Sequence, residues 1–182
     1  MTAAKPRRTR PPLDQGKLDE LALRYVGRFA TTRHKLREYL TRKVRERGWS
    51  GEREADVTAV ADRLAALGYI DDAAFAVAKT RSLSGRGYGA RRVRQSLHAA
   101  GVGEDDSADA NALAEAERVE AALRFARRRR IGPFADKVTD RDEREKAIAA
   151  MIRAGHSFDL ARAIAGLEPG GNFTLEELAE KR

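Results

Sequence analysis

The chain has 182 residues, 42% hydrophobic and 35% charged, with 36 lysines and arginines against 28 acids and a net charge of +8. It holds no cysteine, which excludes disulfides, thiolate zinc sites, iron–sulfur clusters and cysteine nucleophiles. No apolar window approaches the ~20 residues that span a bilayer, so a cytoplasmic location is expected. The basic balance suits nucleic acid or an acidic protein surface as partner without choosing between them.

In chain order, residues 1–16 are basic and proline-rich with no apolar stretch behind them, and read as a disordered arm rather than a signal peptide. Residues 17–68 read as a three-helix repeat. A first helix over 18–30 places Leu21, Tyr25 and Phe29 on one stripe. The second, capped by Thr31 or Thr32, runs to about Arg47 with Leu36, Leu40 and Val44 inward. The third is capped by Ser50, faces inward through Val57, Val60 or Ala61, and Leu64, and stops at Gly68. The junction LGYIDDAAFA follows, with Asp71 or Asp72 as helix cap and Tyr69, Ile70 and Phe75 arranged as a hydrophobic staple. Two adjacent aspartates also fit metal ligation or acid–base work, but no histidine or third carboxylate lies nearby, and capping is favoured.

A second repeat is assigned to 69–113, with helices near 72–84 and 89–100 and a third, acidic segment that gives the weakest helix start. A third repeat is assigned to 114–168, with helices near 114–130, 140–154 and 157–167. The tail, 169–182, carries the capping box Thr174 with Glu177, and a short helix is expected there with Leu175 and Leu178 as its apolar contacts. Alanine, leucine, arginine and glutamate dominate these segments and alternating β-branched runs are absent, so the fold class is all-α.

Gly48, Gly101 and Gly155 punctuate the chain at intervals of 53 and 54 residues. Apolar or small residues lie eight and four positions before each: Leu40 and Val44, Val93 and Leu97, Ala147 and Met151. Nine and twelve positions after come Val57 and Val60, Ala110 and Leu113, Ile164 and Leu167. Each spacing puts its pair on one helical face, and a glycine between two helices can take the left-handed conformation that ends the first. A tandem array of three three-helix repeats follows, an architecture that presents an extended surface to a partner.

Charge alternates along the array. Residues 32–48 carry a net +5, residues 104–120 a net −6 and residues 118–131 a net +5. The basic blocks recur repeat after repeat and are expected to line one face. Arginine forks suit phosphate and carboxylate, but the four consecutive residues Arg127, Arg128, Arg129 and Arg130 point around most of a helix and cannot all meet one partner.

Other constellations are weak. The segment SGRGYG at 84–89 lacks a phosphate-loop pattern and no strand precedes it, so it reads as a flexible turn carrying Arg86 and Tyr88. His34, His98 and His156 are scattered, and His156 fits packing better than catalysis. Trp49, beside Gly48, fits the core or a repeat interface better than base stacking. No nucleophile–base arrangement, cofactor motif or metal-ligand spacing is found, so no enzyme, cofactor or metal is expected.

GYIDDAAFA, with Arg81, Gly89 and ARRVRQSLHAAGV downstream, resembles the RecX family of bacterial recombination regulators. RHKLREYLTRKVRERGWS in the first repeat and KAIAAMIRAGHSFDLARAI in the third agree, so the resemblance covers roughly residues 17–168. The third repeat departs at His156, where an aromatic is usual. The resemblance implies an elongated, curved helical array that binds the RecA filament on DNA and restrains RecA's ATPase and strand exchange, bearing on DNA repair and the SOS response. The residues expected to meet acidic RecA surface or DNA phosphate are Arg33, Arg37, Arg42, Arg86, Arg91, Arg92, Arg94, Arg127, Arg128, Arg129 and Arg130. The residues expected to hold the repeats are Gly48, Trp49, Gly68, Tyr69, Asp71, Asp72, Phe75, Gly101 and Gly155. A monomer without membrane contact is expected. A different reading is a stand-alone DNA-binding protein of helix-turn-helix type, though no helix combines arginine with the Asn, Gln and Ser cluster of base readout.

Overall fold

The structure is a computed structural model that describes residues 11–181; the part of the expected disordered arm before Pro11 lies outside the described residues. Ten α-helices and one short 3-10 turn make up the regular structure, with no strand among the described residues. They fall into two compact units, Met1–Asp71 and Asp72–Arg182.

The first unit holds α1 (Gln15–Val26), α2 (Arg33–Arg47) and α3 (Val57–Ala66). Each start is fixed by a side chain that accepts an otherwise orphaned N–H. Lys17 N donates to Asp14 at 2.8 Å, Lys35 N to Thr32 at 3.1 Å and Ala59 N to Asp56 at 2.8 Å. The third cap corrects the sequence reading. Ser50 is spent elsewhere, its hydroxyl donating to the Leu13 carbonyl at 3.2 Å, and an irregular stretch separates it from α3.

Leu13 also corrects the boundary of the arm. Its N–H donates to Gly48 O at 2.9 Å and its carbonyl accepts from Ser50 N at 2.8 Å, forming a single bridge beside Trp49. Its side chain is fully buried with Leu18, Ala22, Leu36, Leu40, Val60, Ala61, Leu64 and Ile70. The end of the span read as an arm, from Leu13 to Gly16, is therefore part of the folded unit. Trp49 packs against this core and donates its indole N–H to Arg53 O at 2.5 Å. α1 also ends earlier than expected: Tyr25 stacks on Tyr39 with centroids 4.3 Å apart, while Phe29 lies beyond the helix, half exposed.

Gly68 ends the first repeat with φ +78°. Tyr69 is exposed and Ile70 enters the first core, so the expected staple leaves Tyr69 unpinned. Asp71 precedes α4, which starts at Asp72 and carries Phe75 half-buried.

The second unit holds α4 (Asp72–Gly85), α5 (Ala90–His98), α6 (Glu104–Ala116), α7 (Arg118–Arg129), α8 (Arg141–Arg153), α9 (Phe158–Gly166) and α10 (Leu175–Ala179). α6 is a full helix across the segment that read as weakest, and it crosses the boundary placed at residue 113. Glu104, Asp105 and Asp106 sit in its first turn, where negative charge complements the helix dipole. Ala110 and Ala114 pack against α4 at Ala76, small side chains that let the two helices approach.

α7, α8 and α9 enclose a second core of Phe125, Met151, Leu160 and Ile164. Each such buried side chain contributes roughly 1.5–3 kcal/mol. Tyr88 packs against both cores of this unit. The tail helix α10 carries its capping box, but docks through Leu178, with Phe173 edge-on to Phe134; Leu175 is half exposed.

The three spaced glycines now have a common place. Gly48, Gly101 and Gly155 each follow the middle helix of a repeat, α2, α5 and α8, with φ of +81°, +68° and +98°.

Candidate binding surface

The arginines of the second unit are positioned by a backbone joint between its two repeats. Gly89 N donates to Ala154 O at 3.0 Å and Arg91 N to Gly155 O at 3.2 Å. The chains cross so closely that a Cβ on Gly89 would lie 2.3 Å from Gly155 O, and one on Gly155 2.5 Å from Arg92 N. The SGRGYG segment is therefore a fixed crossing and not a flexible turn. Gly87 contributes in the same way, its backbone pressed against Phe125 of α7.

Beside this joint His156 is buried, 4% exposed, its Nε2 at 3.1 Å from Gly87 O and its ring edge-on to Phe125 at 5.6 Å. A carbonyl can only accept, so Nε2 carries the proton and donates it. Burial holds the pKa down to about 4, against a smaller upward pull from the Gly87 carbonyl. The ring is a neutral packing element.

α5 begins at the joint and divides its arginines between two grooves. Val93 and Leu97 are buried, and the arginines around them point to opposite sides. Arg91 and Arg94 line a groove of 680 Å³ with Arg118, Glu115, Ile152 and the exposed ring of Phe158. Its arginines already have partners: Arg91 donates to Ile152 O at 2.7 Å, Arg94 pairs with Glu115 at 2.8 Å, and Arg118 donates to Ala179 O of the tail.

Arg92 faces the other way. With Arg86 and Lys79 it lines a groove of 450 Å³ whose remaining walls are Leu83, Tyr88, Gln95, Ser96 and Ala99. Arg92 donates to Gln95 at 3.0 Å, and the Arg86 guanidinium lies 5.4 Å from the Tyr88 ring centroid. Lys79, on the helix that leads to Arg86, was not singled out in the sequence, because its place beside Arg92 comes from the packing of α4 on α5.

The four-arginine run disperses as its helical position requires. Arg127 lies over Phe134 at 4.9 Å, while Arg128 lies near Phe125 and donates to Arg86 O at 2.6 Å. Arg129 and Arg130 line a third groove of 340 Å³ with Glu143 and Lys146, and Arg130 pairs with Asp136 at 2.7 Å. The expectation of a single basic face thus fails within this unit. Arg91 with Arg94, Arg86 with Arg92, and Arg129 with Arg130 border three separate grooves, and Arg127 and Arg128 line none of them.

In the first unit, Arg37 and Arg42 border a groove of 530 Å³ with His34, Glu38, Arg45 and Thr58. Arg42 lies over Tyr39 at 5.7 Å and pairs with Glu46 at 3.7 Å. Hydrogen bonding from Lys43 holds the Glu46 carboxyl below the usual carboxylate range. Arg33, in the first turn of α2, is half-buried and outside that groove. Among the described residues there is no cluster of three potential metal ligands, and no helix is long and apolar enough to cross a membrane.

Comparison with known proteins places this geometry in context. The family model for the second three-helix domain of RecX matches residues 71–110. The Regulatory protein RecX of Myxococcus xanthus is 34% identical over 173 residues, covering 91% of this chain and 90% of that protein. The Xanthomonas campestris protein of the same name is 36% identical over 132 residues, 72% of this chain and 77% of its own. Among solved structures, RecX from Lactobacillus salivarius superposes with a TM-score of 0.64 at 20% identity, covering 82% of this chain and 92% of that one. A second crystal structure of a regulatory protein RecX gives 0.60 at 23% identity. At those identities the likeness concerns the fold.

Proposed function

The chain belongs to the RecX family of regulatory proteins, and from that membership we propose that it binds the filament RecA forms on DNA. There it restrains RecA's ATPase and strand exchange in the cytoplasm and so modulates DNA repair and the SOS response, with no catalysis of its own. The observation that carries the reading is the presence of exposed arginines in every repeat, on α2, on α5 and at the end of α7, in a chain matched to a RecX protein over 91% of its length.

In this reading the repeats act as an array of weak contacts seated in the filament groove. Guanidinium forks of α2, α5 and the end of α7 meet carboxylates of RecA or phosphates of DNA. Several modest contacts on one chain add through effective concentration, so occupancy persists although each contact is individually labile. A seated array obstructs entry of homologous duplex and holds neighbouring RecA subunits away from the geometry that ATP turnover needs.

The test is inhibition of RecA's DNA-dependent ATPase by the full chain, with binding to bare DNA and to DNA-free RecA measured in parallel. Inhibition that weakens when Arg91, Arg92 and Arg94 are reversed to glutamate is the expected result. Unchanged ATPase over a range of salt, together with tight sequence-specific binding to naked duplex, would sink the proposal in favour of a stand-alone helix-turn-helix protein.

A further inference from the structure

We infer that the groove lined by Lys79, Arg86 and Arg92 is where this chain grips nucleic-acid phosphate, and that the other arginine of α5's first turn, Arg91, belongs to a chemically different surface. The inference deepens the function proposed above by naming which part of a nucleoprotein filament this groove meets.

The first argument is charge. Of the four grooves described above, this is the one without a carboxylate in its wall: the others contain Glu38, Glu115 or Glu143. Its two arginines are held by neutral partners, Arg92 by the Gln95 amide and Arg86 by the Tyr88 ring. Those contacts orient the guanidinium groups and leave their charge uncompensated. In the neighbouring groove, Glu115 already neutralises Arg94. Like charges gathered in a concavity focus the field and raise the local concentration of an anionic ligand.

The second argument is the absence of an apolar anchor. Protein partners usually bind through a desolvated aromatic or aliphatic centre with a polar rim. The apolar lining here is Leu83, Tyr88 and Ala99, of which Leu83 is buried and Tyr88 is committed to both cores of the unit. The groove that contains Arg91 does offer such an anchor, since Phe158 stands 54% exposed in it.

The third argument is the kind of donor present. Two guanidinium forks, an ammonium, the Gln95 amide and the Ser96 hydroxyl match a sugar–phosphate backbone, which is contacted by charged and neutral donors alike. The cations come from α4, the 86–88 turn and α5, so they follow the groove and are not stacked on one helix. Arg128 extends the row: it is exposed and donates to Arg86 O at 2.6 Å, which brings a fourth cation to the edge of the turn.

The test compares the full-length chain with its K79A/R86A/R92A variant on labelled single-stranded and double-stranded oligonucleotides of one length, by fluorescence anisotropy across a salt series. Each lost phosphate contact lowers the slope of log K against log salt by ~0.7 on single strands and ~0.9 on duplex. The triple variant is therefore expected to lose about two units of slope on single strands, or nearly three on duplex, with at least about tenfold weaker binding at low salt. The arm whose loss, divided by its own slope per contact, comes nearer to three contacts identifies the strand form.

R141A/R144A/R162A removes three exposed positive charges from positions on none of the grooves, and is expected to keep most of the slope. Circular dichroism checks the fold of both variants, and K79Q alone, losing a single contact's slope, supplies a milder measurement.

A triple variant that retains the parent slope on both oligonucleotides overturns the inference, as does equal loss in the charge-matched control. Retained DNA binding with lost binding to DNA-free RecA overturns it too, while leaving the regulatory function standing. Lost DNA binding in a protein whose parent has no effect on RecA upholds the groove and removes that function.

Discussion

His156 makes the stability of the second unit depend on pH with a definite sign. The ring is neutral in the folded chain, its pKa held by burial at about 4 against an ordinary value of 6.5. Between those values the unfolded chain binds more protons, so stability is complete above about pH 6.5 and drains away as the pH falls toward about 4. The gap, at about 1.4 kcal/mol per pH unit, amounts to roughly 3 kcal/mol.

The geometry explains why charging is opposed. Nε2–H already donates to Gly87 O, and protonation would place a second N–H at Nδ1, which is buried with no partner among the described residues. The assay is urea unfolding followed by far-UV circular dichroism at several pH values between about 7 and 4, on the parent and on His156→Phe. Phenylalanine keeps a ring against Phe125 and cannot titrate; the unpaired Gly87 carbonyl lowers stability equally at every pH. Carboxylates such as Asp14, held below the usual range by its hydrogen bonds from Lys17, destabilise both proteins alike on acidification and cancel in the difference. The parent should lose roughly 3 kcal/mol more than the variant across the range. Parallel profiles would refute the buried, neutral assignment.

Two further substitutions probe the packing. Gly155→Ala combines a φ of +98° with a Cβ placed 2.5 Å from a backbone nitrogen, and should destabilise the second unit by about 3 kcal/mol or more. Trp49 fluorescence reports the first unit, so a drop in the circular dichroism midpoint ahead of the tryptophan midpoint is expected. Gly85→Ala, a helical position with open space and negative φ, should be neutral or stabilising by up to about 1 kcal/mol, and strong destabilisation there would discredit the steric reasoning. Leu178→Ala should cost about 2 kcal/mol and open the tail to proteolysis within 169–174, because this side chain carries the docking of α10; an unchanged cleavage rate would show that Arg118 and Phe173 suffice.

Much of the fold was legible because it is local. Helix periodicity marked Leu36, Leu40, Val93, Leu97 and Met151 as interior, and all are buried. Thr32 was readable as a cap, and the glycine spacing announced the turn that recurs after α2, α5 and α8. Ser50 misled because a hydroxyl caps whichever backbone group reaches it, and here Leu13 O arrives from a distant part of the chain. α6 was undervalued because its acidic beginning read as a weak helix start, although acids in a first turn favour the helix. The division of Arg91 and Arg94 from Arg92 was present in the 3.6-residue period, but net charge summed over a window erases direction. Lys79 was not singled out: its place beside Arg92 depends on α4 lying beside α5, which is tertiary information.

The joint at Gly89 and Gly155 separates two properties that proteins often entangle. It is made of peptide groups, Arg91 among them, and of the arginines beside it Arg91 turns back to Ile152 O while Arg92 and Arg94 reach outward to Gln95 and Glu115. The outer ends of the Arg92 and Arg94 side chains can therefore be exchanged without touching the joint's hydrogen bonds, whereas a methyl added at Gly155 presses on the Arg92 backbone and Cβ, and one at Gly89 on the Gly155 and His156 backbone. Within this unit, ligand preference can drift at the ends of long side chains while architecture stays fixed by peptide groups, even where, as at Arg92, one residue supplies both.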